Sequence, residues 1–124
     1  MSVFLPHDHG HNDIDELLAG MSTESFAELS ALFSMLSDRT RLKIFWILCH
    51  SEECVINLSA MMNMSSPAIS HHLRQLKDAE LIVSRREGKE VYYRSADTDE
   101  ARLLHDMTES LAKLSCPDTG CHFK

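Results

Sequence analysis

Apolar residues recur along most of this chain at helical spacing, and in one stretch the spacing shortens. Between Thr23 and Leu36, residues Phe26, Leu29, Leu32, Phe33 and Leu36 fall three or four positions apart, one stripe of a helix with Ser22 or Thr23 as its N-cap. A shorter pattern, Ile14, Leu17 and Leu18, predicts a brief helix ending at Gly20. From Arg39 to about His50 the chain is apolar nearly all round, with Leu42, Ile44, Phe45, Trp46, Ile47 and Leu48. Such a helix belongs at the centre of a domain, and Ser37 or Asp38 is placed to cap it. Ser51-Glu52-Glu53 reads as a connector. Val55 to Asn63 predicts a short helix with Leu58 and Met61 or Met62 inward, and Asn63-Met64-Ser65 makes a turn. The following helix opens at Ser66 with Pro67 in its first turn, where the missing N–H is tolerated. Its Ile69, Leu73 and Leu76 form one stripe, at i, i+4 and i+7. Beyond Leu81-Ile82, Val83 to Arg94 predicts two strands around a turn at Glu87-Gly88-Lys89. A last helix, about Asp99 to Leu114, carries Leu103, Leu104, Met107, Leu111 and Leu114 and stops at Ser115-Cys116-Pro117.

Helices, a helix pair, a hairpin and one more helix make a mainly α fold, a winged helix-turn-helix with a two-stranded β wing. That pattern implies a DNA reader. The polar side of the second reader helix carries Ser66, Ser70, His71 and Arg74, opposite the apolar stripe. The first and last helices have apolar faces that no other element covers. Packing them on the same pair from a second chain gives a two-fold homodimer, dimerising through the N- and C-terminal helices. Residues 1–12 read as a flexible His-rich arm, 13–115 as the DNA-binding and dimerisation domain, and 116–124 as a Cys/His tail.

Charge complicates the DNA reading without overturning it. The net charge of the 124 residues is −7, whereas a DNA-binding footprint is usually basic. The acid is concentrated away from the reader: residues 1–28 hold Asp8, Asp13, Asp15, Glu16, Glu24 and Glu28 and no Lys or Arg. Residues 65–94 hold Arg74, Lys77, Arg85, Arg86, Lys89 and Arg94 against four acids. Weak non-specific binding and dependence on local basic contacts follow. No apolar run approaches the roughly 20 residues of a membrane span, and Met1 to His11 lacks the flanks of a signal peptide. A cytoplasmic protein is expected, in which the four cysteines serve as thiols or metal ligands rather than in disulfides.

Several of these segments together resemble one family. Leu36-Ser37-Asp38-Arg39-Thr40-Arg41-Leu42-Lys43-Ile44, Asn57-Leu58, Ser70-His71-His72-Leu73-Arg74-Gln75-Leu76, Gly88-Lys89 and Tyr92-Tyr93-Arg94 are similar to the ArsR/SmtB family of bacterial repressors, over about residues 25–115. The resemblance implies a homodimer on double-stranded operator DNA, released by an inducer that is usually a metal ion. It implies that Ser65, Ser66, Ser70, His71 and Arg74 lie where the recognition helix enters the major groove, and that Arg86 and Lys89 lie on the wing near phosphates or the minor groove. Hydroxyls and an arginine can bond to base edges, while wing cations position the protein.

The inducer site is less determined. The family's last-helix site needs Asp-x-His early, then His and a second His or Glu. Here those positions are Asp97-Thr98-Asp99, Ser110 and Lys113, and a lysine cation cannot ligate a metal. His105 and Glu109 stand four apart and can pair with Asp97 or Asp99, although such pairs are more often ordinary surface. A second family site joins the arm to the first reader helix. Its thiol motif is represented by Cys54 alone, with His7, His9 and His11 on the arm as nitrogen donors. Imidazoles with one thiolate suit Zn, Ni, Co or Cu(II). A third possibility is the tail, where Cys116, Cys121 and His122 make a soft chelate suited also to Cd, Pb or Cu(I). The expected cofactor is thus a transition or heavy metal ion. Cys116 also resembles the thiol of family members that respond to oxidants or reactive sulfur, which keeps a redox-responsive repressor open. Cys49, in the central helix, reads as a core thiol. A metal-buffering or protein-interaction module is the alternative from a different class. No nucleophile–base set or phosphate-cradling glycine loop marks an enzyme.

Overall fold

The computed structural model describes residues 4–7, 9–10, 14–20 and 22–113. The chain divides into two units, Met1–Phe33 and Ser34–Lys124. The first carries α1 (Ile14–Ala19) and most of α2 (Thr23–Met35). Ser22 opens α2, its hydroxyl accepting the Ser25 N–H at 3.1 Å. Neither helix buries a residue, and Leu17, Leu18, Phe26, Leu29 and Phe33 are exposed.

In the second unit the elements run α3 (Arg39–His50), β1 (Glu53–Cys54), α4 (Val55–Met62), α5 (Ser66–Asp78), β2 (Ile82–Glu87), β3 (Glu90–Ser95) and α6 (Asp99–Ala112). Helix α3 is the central one. Asp38 caps it by accepting the Arg41 N–H at 2.9 Å, and its Ile44, Phe45 and Leu48 are fully buried. Around them pack Leu58 of α4, Ile69, Leu73 and Leu76 of α5, then Leu81, Ile82, Ala101 and Leu104. Met62 is half-buried and Met61 exposed, which settles the inward methionine of α4.

The α4–α5 turn is made by Asn63 at φ 53°, ψ 49°, a left-handed conformation that asparagine tolerates better than most residues. Ser65 then caps α5 and Pro67 sits in its first turn. The wing is the expected antiparallel hairpin, with Glu87 opposite Glu90 and Ile82 opposite Ser95. Only Gly88 and Lys89 lie between the strands, and Gly88 has φ +63°. A first turn residue with positive φ suits a tight hairpin and explains the glycine.

The sheet corrects one expectation. It has three strands in the order β1-β3-β2, because Glu53 and Cys54 pair with Tyr93 and Tyr92. A two-residue strand is too short to show an alternating pattern, so it read as connector. Helix α6 has the expected apolar face that the rest of the described chain leaves uncovered. Its buried face is Ala101, Leu104 and His105, while Leu103, Met107 and Leu111 are exposed. No described helix is long and apolar enough to cross a membrane.

Candidate DNA-reading surface and metal centre

The surface of α5 follows from its amphipathic sequence. With Ile69, Leu73 and Leu76 buried, Ser66, His71 and Arg74 project outward and Ser70 is half-buried. Ser65 has a structural duty as well: its hydroxyl accepts the Ala68 N–H at 3.3 Å. Two side-chain contacts fix α5 against its neighbours. Lys77 Nζ donates to Ser84 Oγ at 2.7 Å, tying the helix to β2. Arg41 Nη1 donates to Gln75 Oε1 at 3.1 Å, tying it to α3, and Arg41 Nε donates to the Met35 carbonyl at 2.8 Å.

Alternation along β2 sends successive side chains to opposite faces. Arg85 is consumed locally. It donates to Glu52 at 2.7 Å and Glu87 at 2.7 Å and lies 4.8 Å from the Tyr92 ring centre. These hydrogen bonds raise the Arg85 pKa further, chiefly through Glu52, and the same contact lowers that of Glu52. Arg86 points the other way. It and Lys89 are exposed and make no ion pair among the described residues. Arg74, Arg86 and Lys89 are therefore available cations, one on the helix and two on the wing.

The metal-ligand candidates are distributed differently from the sequence expectation. His7 and His9 are exposed, their rings stacked at 5.9 Å. Cys54 is a half-buried free thiol at the N-cap of α4 and makes no side-chain cap hydrogen bond there. His11, Cys116, Cys121 and His122 lie outside the described residues. Cys49 is 3% exposed, as a core position requires. Asp97 and Asp99 do not join His105. Both bind Arg102, whose pKa is raised chiefly by the Asp99 hydrogen bond.

Instead, His105 and Glu109 meet His50. One turn of α6 separates His105 from Glu109, and His105 Nε2 lies 2.9 Å from Glu109 Oε1. His50, the last residue of α3, brings its Nε2 to 3.2 Å from His105 Nε2 and 3.6 Å from Glu109 Oε2. The three donor groups lie within 4.8 Å of one another. His105 is 1% exposed, so the pair is not ordinary surface. Trp46, one turn before His50, places its ring 4.7 Å from the imidazole. Trp46 also lines a cleft of about 300 Å³ with Arg39, Leu42, Lys43, Thr108 and Ala112. Sequence reasoning missed His50 because only the crossing of α3 and α6 brings it near. The available signal was a histidine set among the small and apolar residues of the inward face of α6.

A sequence profile of bacterial regulatory proteins of the arsR family matches residues 38–84. A transcriptional repressor SmtB homolog from Synechocystis is 36% identical over 91 residues, 73% of this chain and 69% of that protein. The chain belongs to the arsR family. It is a DNA-binding transcriptional regulator and not an enzyme. The arsenical resistance operon repressor of Staphylococcus aureus is 31% identical over 78% of this chain and 89% of its own length. Among solved structures, HlyU from Vibrio cholerae is similar with TM-score 0.67 and 27% identity, covering 73% of this chain and 97% of that one. The homodimeric winged helix-turn-helix DNA-binding domain Mb0332 from Mycobacterium bovis is similar with TM-score 0.63 and 27% identity, covering 86% and 91%. The profile begins at Asp38, the cap of α3, and ends at Ser84 in β2, so it spans the reader and the helix behind it.

Proposed function

We propose that this arsR-family protein is a cytoplasmic homodimeric repressor that binds double-stranded operator DNA and leaves it when a transition or heavy metal ion binds. The observation that carries the DNA half is α5, with exposed Ser66, His71 and Arg74, followed by a wing whose Arg86 and Lys89 are unpaired among the described residues. The metal half is supported by similarity to a cadmium resistance regulatory protein, CadC, of Listeria innocua at 38% identity over 71% of that protein. Two-fold assembly is supported by the exposed Leu103, Met107 and Leu111 on α6 and by the homodimeric relative.

The mechanism is linkage. DNA favours a dimer whose two α5 helices match the half-site spacing, and metal favours one that does not. A coupling of about 1–3 kcal/mol weakens DNA binding roughly 5- to 150-fold, and DNA weakens metal binding equally. Fluorescence anisotropy on the upstream DNA, with Zn, Cd, Pb, Ni, Co and Cu(I) added in turn, tests this. Salt-sensitive, sequence-specific binding reversed by one of these ions is expected. Absence of specific binding, or binding insensitive to all six, would sink the reading. Repeating the panel with the arm deleted through His11, and separately with the tail cut before Cys116, tests those segments as ligand sources.

A further inference from the structure

We propose that His50, His105 and Glu109 form a divalent transition-metal site within a single chain, joining the end of α3 to the inward face of α6. Its regulatory role rests on the function proposed above; its occupancy does not. A tetrahedral ion with bonds of about 2.1 Å holds its ligand atoms about 3.4 Å apart. The two imidazole nitrogens stand 3.2 Å apart and reach different oxygens of the Glu109 carboxylate, at 2.9 and 3.6 Å. With one ligand atom per residue the three lie within 4.8 Å of one another, so a modest closing of the cluster seats an ion. The chemistry fits as well. Two imidazoles and a carboxylate are the donor set of borderline ions such as Zn²⁺, Co²⁺ and Ni²⁺, with a fourth position left for water.

The competing role is a purely structural cluster. In that role the two ring nitrogens share a hydrogen bond at 3.2 Å, one imidazole donating to the other, with the Glu109 carboxylate 2.9 Å from His105 Nε2 and 3.6 Å from His50 Nε2. An ion at the centre takes Nε2 of both rings and leaves each ring's proton on the far nitrogen. On His105 that nitrogen, Nδ1, lies 4.0 Å from Asp106 Oδ1, a carboxylate on the side that a metal-bound histidine uses.

The site also has a route to the reader. His50 is at one end of α3, and near the other end Arg41 holds Gln75 of α5. Tightening α6 on α3 thus loads the helix against which α5 is braced.

The chain's single tryptophan, Trp46, stands beside His50 and reports occupancy. Full-length apoprotein is titrated with Co²⁺ while its fluorescence is followed, on and off operator DNA. Quenching that saturates at one ion per chain is expected, with a midpoint raised at least about tenfold in Glu109→Gln. His50→Gln serves as a second variant, and circular dichroism checks folding of both. A chain carrying His7→Gln, His9→Gln, His11→Gln, Cys116→Ser, Cys121→Ser and His122→Gln is expected to keep the wild-type midpoint. Quenching unchanged in Glu109→Gln, or abolished by the arm and tail substitutions, overturns the site. Quenching that follows the site but leaves the DNA complex intact overturns its regulatory role. Loss of specific DNA binding by the apoprotein overturns the repressor reading alone.

Discussion

Arg74 and Lys89 are both exposed cations on the proposed DNA surface, yet their positions assign them different work. Arg74 projects from a rigid helix held by Lys77 and Gln75, so its guanidinium has a defined approach to a base edge. Arg74→Ala is expected to cost about 1–3 kcal/mol of operator affinity and to relax specificity at one position. Lys89 is at the tip of a hairpin, and on the proposed surface its flexible ammonium is assigned to phosphate. Lys89→Ala is expected to weaken all sequences alike and to reduce the salt slope by about 1. Anisotropy titrations at several salt concentrations on operator and scrambled DNA separate the two. The neighbouring Gly88 holds a backbone conformation that a side chain strains, at φ +63°. Gly88→Ala is expected to lower stability by about 1–2 kcal/mol, seen as a lower urea midpoint, although a Cβ there would meet no atom within 4 Å.

At the scale of elements, α6 shows what burial decides. Leu104 is 5% exposed and Leu111 is 77% exposed on the same helix. Leu104→Ala is expected to cost about 2–5 kcal/mol at any protein concentration. Leu111→Ser is expected instead to raise the dimer dissociation constant, measured by sedimentation, with little change in the melting of dilute protein. The contrast also marks how far the sequence could be read. Helices α3, α4 and α5 and the wing were legible because their apolar residues and their turn residues, Asn63, Pro67 and Gly88, agree locally. On α6 the exposed Leu103, Met107 and Leu111 are the apolar face expected to meet a second chain, whereas the spacing did not reveal that the inward side is filled by Ala101, Leu104 and His105. A stripe alone does not say whether it meets its own chain or another. A different gap hid the His50–His105–Glu109 cluster: His105 and Glu109 are neighbours by helical spacing, whereas His50 is 55 residues from His105 and reaches it only through a tertiary crossing.

Over the whole molecule, acid is distributed so that folding and charge are linked. Asp38 has a lowered pKa chiefly because its carboxylate accepts the Arg41 backbone N–H, and Glu52 because it accepts hydrogen bonds from Arg85. Carboxyls depressed in the folded state contribute stability that is fully present above their unfolded value, about 4, and lost as pH falls through the folded value. Melting temperature is therefore expected to hold from neutrality to about pH 5 and to fall below about pH 4. Thermal melts of an Asp38→Asn, Glu52→Gln chain should show a shallower acid decline, from a lower plateau. A decline identical to wild type would remove these two groups from the account. The donors of the His50–His105–Glu109 cluster all belong to one polypeptide, and this has a consequence for the order of assembly. A newly made subunit can take up its ion before it meets a partner. Subunits synthesised during metal stress would then arrive already loaded and never enter the pool competent for the operator, so relief of repression would persist until ion-free chains are made again.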